Sequence, residues 1–569
     1  MSFSRQMVAS GQNGQKPQIF LWDANTAKVI GSKRLPKGSR LVTAIGISAT
    51  DRYICASDAA EKITCHIFEV EGGKAAIATV AINMKVVHLA WSPVSEELFS
   101  TAGKDHVTMC TLGADKKIKM VKGKAKGGKI ESQASAAWLN DKNNANHLFT
   151  GSSDGKVVHW AGDSVVKAYD CCEKGAVTSV ACRVDQKAGG EVIIAGGKDK
   201  SLTIFKFNNG LTKMWSIKVD AAPLSVDLFN GMMLLGLKNG SIVEMPFTND
   251  GKAKVNLVMS SHCDGEVWGL DVVDIDGKGD YRVITSADDN RILTYKPKEH
   301  MPLAEGKVAD PPKKKPKAGY RGGASSMSSQ PAECQSRAVA YSKDLGHLAV
   351  AGNTGIVTIR EVNWAEVDAR KAGSLDTVKY KLFKDVKKAE WIEAMVYSPD
   401  SKNLAVGSHD NMIYIVDTKS YKKVTKLTGH SSFITSLDWS VDGSYLRSNC
   451  GAYELLFFNV TNKKRDPSGA SNTVETIWAD QTCKLGWNVQ GIFPSGCDGS
   501  HINSVAMSKD GKLLASGDDY GLVCLYRNPL LEGHASTKYR GHSEFVTSVK
   551  FSPDNQYLWS TGGQDQTTI

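Results

Sequence analysis

Short runs of alternating apolar and polar residues recur along the whole chain, separated by turns rich in glycine, serine and aspartate. Residues 430–447 read HSSFITSLDWSVDGSYLR and residues 542–559 read HSEFVTSVKFSPDNQYLW. Each stretch contains an apolar strand of period two, a polar turn and a second apolar strand. A turn of small and acidic residues and a third strand then follow, as in SGDD at 516–519 and GLVCLYR at 521–527. The pattern therefore predicts an all-β chain built from repeated antiparallel units.

A repeat of about 40 residues with four short strands is typical of one blade of a WD-repeat β-propeller. About thirteen such units can be traced along the chain, some of them atypical or incomplete. The first unit is incomplete, with strands predicted at 7–12 and 18–23. The inner strands of the other units are predicted to begin near Val42, Val86, Ser135, Val177, Leu224, Val267, Arg337, Ile392, Ile434, Val474, Ile502 and Val546.

The number of units predicts two rings, because one propeller usually holds four to eight blades. Residues 301–335 interrupt the strand pattern and are rich in proline, lysine, glycine and serine, a composition typical of exposed linkers. We therefore predict two tandem WD-repeat β-propellers. The first, of about seven blades, would occupy residues 1–300, and the second, of about six, residues 336–569. The second would include an atypical segment at 474–499.

Histidine, serine and acidic residues recur at the turns of the repeat, as His542, Ser560 and Asp565 do in the last unit. A Ser-His-Asp set is also the pattern of a hydrolase. Because the set recurs with the repeat, we interpret it as a hydrogen-bonded device that fixes the turn. The sequence contains no glycine-rich phosphate loop, zinc-binding helix or nucleophile elbow. We therefore expect neither an enzyme nor a cofactor.

The twelve cysteines favour reduced thiols in the cytosol, because the chain starts without an apolar export signal and contains no C-x-x-C pair. No run of 18 or more apolar residues is present, which argues against a membrane span. A cytoplasmic protein without a membrane partner is the expectation.

The formal net charge of +10 comes from two segments, and the rest of the chain is balanced. Such clustering suggests an acidic polymer as partner, although solvated loops that only aid solubility explain the lysines equally well. Nucleic acid is disfavoured, because Tyr320 is the one aromatic residue among these lysines and base stacking needs more. The candidate contact residues are Lys116, Lys117, Lys119, Lys122, Lys124, Lys126 and Lys129 in the first segment, and Lys313, Lys314, Lys315, Lys317 and Arg321 in the second.

One segment differs from all others: residues 477–501 read IWADQTCKLGWNVQGIFPSGCDGSH. Cys483, Cys497 and His501 could be metal ligands, but their spacing is unlike that of a zinc site, and we predict no metal. The segment resembles a motif of the echinoderm microtubule-associated protein-like family. The residues that match the family pattern are Trp478, Thr482, Cys483, Leu485, Gly486, Trp487, Val489, Gly491, Phe493, Pro494, Gly496, Asp498 and Gly499.

The resemblance implies two joined, atypical propellers that bind tubulin or microtubules and are not enzymes. It also implies other microtubule-associated or axonemal proteins as partners, and a location on cytoplasmic microtubules or in the ciliary axoneme. Within this family the segment would be an irregular blade whose aromatic residues Trp478, Trp487 and Phe493 replace ordinary core strands. The lysine segments would then contact the acidic surface of tubulin. A general protein-interaction scaffold in a ciliary or cytosolic complex is the alternative.

The sequence departs from the family pattern at both ends. The hydrophobic motif that precedes the family's propellers, and the coiled coil of longer members, are not seen here. The chain stops at Ile569, where a closing strand is expected, and an unpaired strand edge would invite pairing with another chain.

Overall fold

The computed structural model describes most of the chain as two compact units, Met1–Val258 and Met259–Ile569. The residues described are 4, 6–12, 14, 16–60, 62–125, 130–141, 146–185, 189–277, 279–297, 299, 301–308, 335–371, 373–383, 390–493 and 501–569. In this part of the chain nearly all regular structure is β-strand, which confirms the predicted fold class.

The first unit contains six antiparallel sheets, each made of strands that are consecutive in sequence. One sheet has three strands (β1–β3) and the other five have four (β4–β7, β8–β11, β12–β15, β16–β19 and β20–β23). The strands are β1 Met7–Gly11, β2 Gln18–Asp23, β3 Val29–Arg34, β4 Val42–Ile47, β5 Tyr53–Asp58, β6 Thr64–Glu69, β7 Ala78–Ala81, β8 Val86–Trp91, β9 Leu98–Gly103, β10 His106–Leu112, β11 Ile118–Lys122, β12 Gln133–Trp138, β13 His147–Ser152, β14 Lys156–Ala161, β15 Ser164–Asp170, β16 Val177–Asp185, β17 Gly190–Gly197, β18 Ser201–Phe207, β19 Leu211–Lys218, β20 Pro223–Phe229, β21 Met232–Leu237, β22 Ile242–Pro246 and β23 Asn256–Met259.

The first strand of each sheet lies at the centre of the first unit. All six of these inner strands line one channel of about 320 Å³. Apolar side chains on the faces of neighbouring sheets form the core, as where Ile194 and Ile204 pack with Leu228 and Met233. A ring of four-stranded sheets around a channel is the arrangement of a β-propeller.

The second unit contains five four-stranded sheets and a final two-stranded sheet, β44–β45. Its elements are β24 Val267–Asp274, β25 Tyr281–Ala287, β26 Arg291–Tyr295, β27 Ala304–Lys307, β28 Ser336–Ser342, β29 His347–Gly352, β30 Val357–Glu361, α1 Trp364–Asp368, β31 Val378–Leu382, β32 Ile392–Tyr397, β33 Asn403–Ser408, β34 Ile413–Asp417, β35 Lys423–Leu427, β36 Ile434–Trp439, β37 Tyr445–Cys450, β38 Leu455–Asn459, β39 Lys464–Arg465, α2 Gly469–Asn472, a 3₁₀ helix Trp487–Ile492, β40 Ile502–Met507, β41 Leu513–Asp518, β42 Leu522–Arg527, β43 Thr537–Arg540, β44 Val546–Phe551 and β45 Leu558–Gly562.

The last sheet of the second unit closes a ring against the first. The hydroxyl of Thr547 on β44 donates to the carbonyl of Val267 on β24. The ring of Trp559 on β45 meets Tyr281 on β25 edge-on, with centroids 6.5 Å apart. The final residues of the chain add a short pairing to β45, through hydrogen bonds in both directions between Ser560 and Ile569.

The predicted boundary between the two propellers was wrong. Sheet β24–β27 belongs to the second unit, since it packs on β28–β31 through a shared core that includes Ile284, Ile292 and Val339. The unit boundary lies between Val258 and Met259, so that the segment between β27 and β28, residues 308–335, connects two sheets of one unit. The part of the predicted linker that the structure describes, residues 301–308, is mostly buried and includes strand β27. Composition does not distinguish a connection between blades from one between domains.

The alternation of residues placed the inner strands well, with one exception. All the inner strands predicted after the incomplete first unit begin within two residues of the expected position, except the one predicted at Val474. Val474 is 65% exposed and lies in no strand. Trp487 is 63% exposed, so it does not replace a core strand either.

Side chains help to hold the irregular segment, which takes a blade position between the sheets β36–β39 and β40–β43. Asp438 on β36 is fully buried and accepts hydrogen bonds from the backbone N–H groups of Thr482, at 2.7 Å, and Cys483, at 3.2 Å. The same carboxylate lies 3.0 Å from Nε of Arg447. On the other side, Nζ of Lys484 donates to the carbonyl of Ile502 on β40 at 2.9 Å. This buried ion pair supplements a short backbone pairing of the segment with the end of β36, in which the N–H of Ala479 donates to the carbonyl of Trp439 and the N–H of Val441 to that of Ile477, both at 2.9 Å.

Candidate functional site

Two described lysines of the first basic segment, Lys119 and Lys122, lie on an edge strand of the first unit, while Lys116 and Lys117 precede this strand and Lys124 follows it. β11 is the outermost strand of its sheet and pairs only with β10 among the described strands. A turn in which Lys116 has a φ of 59° precedes this strand. Lys119 and Lys122 are exposed, as are the apolar residues between them, Met120 and Val121. The strand therefore presents two cations to solvent about 10 Å apart along its axis, at about 3.3 Å per residue.

Two lysines of this segment are engaged in ion pairs, and three are not. Nζ of Lys117 lies 3.6 Å from Asp115, and Nζ of Lys124 lies 2.8 Å from Asp163. The hydrogen bond from Lys124 to Asp163 raises the pKa of the lysine and lowers that of the carboxyl. The described part of the chain places no carboxylate within ion-pair distance of the other three, and we call these the free β11 lysines: Lys116, Lys119 and Lys122.

The remaining predicted contact residues lie outside the described residues. They are Lys126 and Lys129 of the first segment and all five of the second, Lys313, Lys314, Lys315, Lys317 and Arg321. The free β11 lysines also have a structural explanation, since charged side chains on an edge strand oppose unwanted pairing with other chains.

The histidine sets at the blade turns form hydrogen-bonded triads in the second unit. His542 lies 3.1 Å from Asp565 and 2.8 Å from the hydroxyl of Ser560. His262 lies 3.0 Å from Asp289 and 2.9 Å from the hydroxyl of Thr285. The hydroxyls of Ser560 and Thr285 are buried, so a substrate cannot reach them as it would a catalytic nucleophile.

A third triad contains a cysteine in addition. His430 lies 2.6 Å from Ser448 and 3.2 Å from Glu454, and the thiol of Cys450 lies 3.1 Å from the same carboxylate. The backbone N–H of Ser431 donates to Glu454 and holds its pKa at about 2. His430, Cys450 and Glu454 bring three potential metal-ligating atoms within 4.8 Å of one another. The histidine and the carboxylate both serve the turn, as in the other two triads.

The three candidate ligands of the irregular segment do not form a site among the described residues. Cys483 is fully buried against β36 and β37, and burial raises the pKa of its thiol. His501 stacks on Tyr520, with ring centroids 5.6 Å apart. Cys497 lies outside the described residues.

Sequence comparison extends this picture. A profile described as the echinoderm microtubule-associated protein second β-propeller matches residues 267–569. The ciliary WD repeat-containing protein ctxp80 of Euplotoides octocarinatus is 40% identical over 575 residues, covering 100% of this chain and 75% of that protein. The chain belongs to the echinoderm microtubule-associated protein family.

Other relatives in the family are more distant but cover nearly the same length. The 77 kDa echinoderm microtubule-associated protein of Strongylocentrotus purpuratus is 27% identical over 97% of this chain and 74% of its own length. The echinoderm microtubule-associated protein-like 1 of Rattus norvegicus is 27% identical over 98% of this chain and 64% of its own length. The profile match starts at the first strand of the second unit, which agrees with the unit boundary at residue 258.

Sequence reasoning missed two features of this family member. The pair formed by Asp438 and Arg447, which holds the irregular segment, lies inside ordinary-looking strands. A surface at one end of the second unit, described below, brings together residues of the inner strands that are far apart in sequence, such as Trp268, Arg337 and Glu393. The sequence does contain an indication of this surface, because the second residue of several inner strands is charged or aromatic, as in Trp268, Arg337 and Glu393.

The described residues of this family member contain no helix that is both long and apolar enough to span a membrane.

Proposed function

We propose that this chain is a structural microtubule-associated protein of the cytoskeleton, with a place in the ciliary axoneme, and that it catalyses no reaction. The observation that carries the proposal is family membership. The relatives that cover nearly the whole chain bear names that describe microtubule association, and the 40%-identical relative is named as a ciliary protein.

The free β11 lysines are proposed as one contact with the acidic tails of tubulin. Lys119 and Lys122 project from a fixed strand and Lys116 from the turn before it, so binding does not first have to order the backbone that carries them. Exposed charges attract an acidic chain over about 8 Å at physiological ionic strength, and salt weakens this attraction. The five basic residues at 313–321 are proposed as a second contact of the same kind.

Co-sedimentation of the full chain with microtubules tests the proposal. The double variant Lys119→Gln/Lys122→Gln should weaken binding about three- to tenfold at moderate salt, since each exposed ion pair contributes about 0.2–1 kcal/mol. The matched control is Lys167→Gln/Lys213→Gln, which removes the same charge from the outer strands β15 and β19 and should change binding little.

Microtubules whose acidic tails have been removed by subtilisin provide the second arm. The wild-type chain should bind them more weakly than the double variant binds intact microtubules, because removal of the tails abolishes both proposed lysine contacts. Equal binding by wild type, double variant and control would refute the lysine contact. Absence of any binding to intact microtubules would refute microtubule association itself.

Residence in the axoneme has a separate test. A tagged chain in a ciliated cell should stay with the axoneme after detergent extraction, and its full release with the soluble fraction would contradict the ciliary proposal.

A scaffold that binds other proteins is a second candidate function. The exposed aromatic residues Trp391 and Phe433 of the second unit favour this function, because exposed apolar patches on a surface mark sites of protein contact.

A further inference from the structure

Every inner strand of the second unit carries the same irregularity at the same place. The pairing of each inner strand with its neighbour shifts register after the first residue, so that the second residue is left out of the ladder. The local bend of the strand changes the direction in which the side chain of such an unpaired residue points, and we call these the re-aimed positions. These six residues lie around one mouth of a central channel of about 290 Å³; they are Trp268, Arg337, Glu393, Thr435, Asn503 and Thr547.

Three of these positions form part of a continuous aromatic arc. The guanidinium of Arg337 lies over the rings of Trp268 and Trp391, 4.8 and 5.1 Å from their centroids. His409 stacks on Phe433, with centroids 4.6 Å apart. The same histidine lies 2.7 Å from the carboxylate of Glu393. The arc is thus held in place by its own contacts, which lowers the entropy lost when a ligand binds it.

Part of the arc is open to solvent. Trp391 is 37% exposed and Phe433 is 36% exposed, although both are large apolar residues. Tryptophan and arginine are the residues most often found to dominate the binding energy of protein interfaces. The arc therefore has the composition of a protein contact.

The loops around the arc carry a strong negative charge. They lie at one end of the ring, since the start of each inner strand pairs with the end of the next strand, as Val267 pairs with Ala287. We call this surface the acidic face, and it comprises residues 261–268, 287–290, 335–337, 352–356, 390–393, 408–412, 430–435, 450–454, 501–503, 518–521, 542–547 and 562–567.

Arg337 is the one lysine or arginine within these segments, and its guanidinium pairs with Glu266 at 3.2 Å and Asp288 at 3.4 Å. Two cations reach the segments from outside: Lys484 donates to the carbonyl of Ile502 and Arg291 to that of Ser261. Asp264, Asp519 and Glu544 are exposed. The acidic residues of the face are Asp264, Glu266, Asp288, Asp289, Glu390, Glu393, Asp410, Glu454, Asp518, Asp519, Glu544 and Asp565.

We propose that the acidic face binds an extended, arginine- or lysine-rich segment of a partner protein. A guanidinium stacks on tryptophan and phenylalanine and pairs with carboxylates at the same time, and this face offers both groups next to each other. Acidic chains, including tubulin tails and nucleic acids, would be repelled. The face is therefore a site for a partner of opposite charge from the one proposed for the free β11 lysines.

Binding of a fluorescent oligo-arginine peptide to the full chain, followed by anisotropy, tests this proposal. The peptide should bind in a salt-dependent manner, and an oligo-glutamate peptide of equal length should not bind. Trp391→Ala should weaken binding about tenfold, the loss typical of a central aromatic contact. Phe433→Leu, which keeps an apolar side chain, should weaken it by a smaller factor and serves if Trp391→Ala does not fold.

A matched pair of charge variants separates this site from general attraction. Asp264→Asn/Glu544→Gln neutralises two exposed acids of the face, and Glu475→Gln/Glu532→Gln neutralises two exposed acids outside it. The first pair should weaken peptide binding about fivefold and the second by less than twofold, because only the first pair lies within contact distance.

Three results would overturn the proposal. Equal losses of peptide affinity from the two charge pairs would show attraction by net charge alone. Binding of the peptide to Trp391→Ala and Phe433→Leu as tightly as to wild type would show that the arc is not the contact. Binding only after Lys313, Lys314 and Lys315 are replaced by glutamine would mean that the chain's own lysines occupy the face. Microtubule co-sedimentation of Trp391→Ala should equal that of wild type, so the failure of either proposal can be recognised separately.

Discussion

The two units use the same strand irregularity with different side chains. In the first unit the residues left out of the ladder on β4, β8, β12, β16 and β20 are Thr43, Val87, Ala134, Thr178 and Leu224. In the second unit the corresponding residues include Trp268, Arg337 and Glu393. The fold thus supplies a ring of re-aimed positions in both units, and the side chains decide whether that ring has binding chemistry.

The units also differ in how their blades are joined. In the first unit all the described blades are sheets held by backbone hydrogen bonds. In the second unit one blade position is taken by an irregular segment that depends on the buried pair of Asp438 and Arg447. The second unit should therefore be far more sensitive to loss of one charge.

The largest effect is expected for Asp438→Asn. The change keeps the shape of the side chain but leaves Arg447 as a buried charge without its counter-ion, which costs about 3–5 kcal/mol. Thermal unfolding of the full chain should show a lower transition temperature for the second unit only. Arg183→Met is the control, because the pair of Arg183 with Asp227 in the first unit is partly exposed on both sides and should contribute under about 1 kcal/mol. Equal losses from the two variants would contradict this difference between the units.

A smaller effect, which depends on pH, is expected in the first unit. Burial, together with the charge of Asp141, raises the pKa of Glu191 to about 7. Because the folded state then holds a proton that the unfolded state has lost, stability falls as pH rises from about 4.5 to 7. Glu191→Gln should therefore raise the melting temperature of the first unit more at pH 8 than at pH 5. A gain that is the same at both pH values would show that the carboxyl does not titrate in this way.

The smallest effect is expected for a charge placed at a re-aimed position of the first unit. Leu224 is 53% exposed, so Leu224→Arg should change the free energy of unfolding by no more than about 0.5 kcal/mol. Leu228 lies on the same strand and is buried, and Leu228→Arg should destabilise by several kcal/mol. Denaturant unfolding of both variants measures the contrast. A large decrease in the free energy of unfolding for Leu224→Arg would mean that the unpaired positions of the first unit tolerate only apolar residues. The two units would then differ in more than the choice of side chains.

Local patterns in the sequence were sufficient for most of the fold. Alternating residues and turn signals act over a few positions, and they located inner strands such as β8 at Val86 and β44 at Val546. The unit boundary could not be found in this way, because sheet β24–β27 joins the second ring through contacts with strands far along the chain. No strand forms at Val474, and the region after it is organised by a short backbone pairing of residues 477–479 with 439–441 and by contacts of Asp438 and Arg447 with residues 481–483.

The candidate sites were predicted unevenly for a related reason. The lysines of the first basic segment lie close together in the sequence, so charge counting found them. The pairing of Lys117 and Lys124 with nearby acids could not be inferred from composition. The acidic face is assembled from short segments of several blades that are far apart in sequence. No window of sequence contains enough of it to stand out, and only the closed ring brings Trp268, Arg337 and Trp391 together.

Closure of the second ring has a consequence for the synthesis of the protein. The contact that joins Thr547 to Val267 connects residues 280 positions apart, so it cannot form until almost the whole unit has left the ribosome. At about 5–20 residues per second, translation of that length takes roughly 15–60 s. During this interval the apolar faces of β24 and β25 that later meet β44 and β45 have no partner, and exposed strands of this kind favour aggregation. Synthesis of this protein should therefore draw on chaperones that shield nascent chains, and its yield should fall when translation outpaces them.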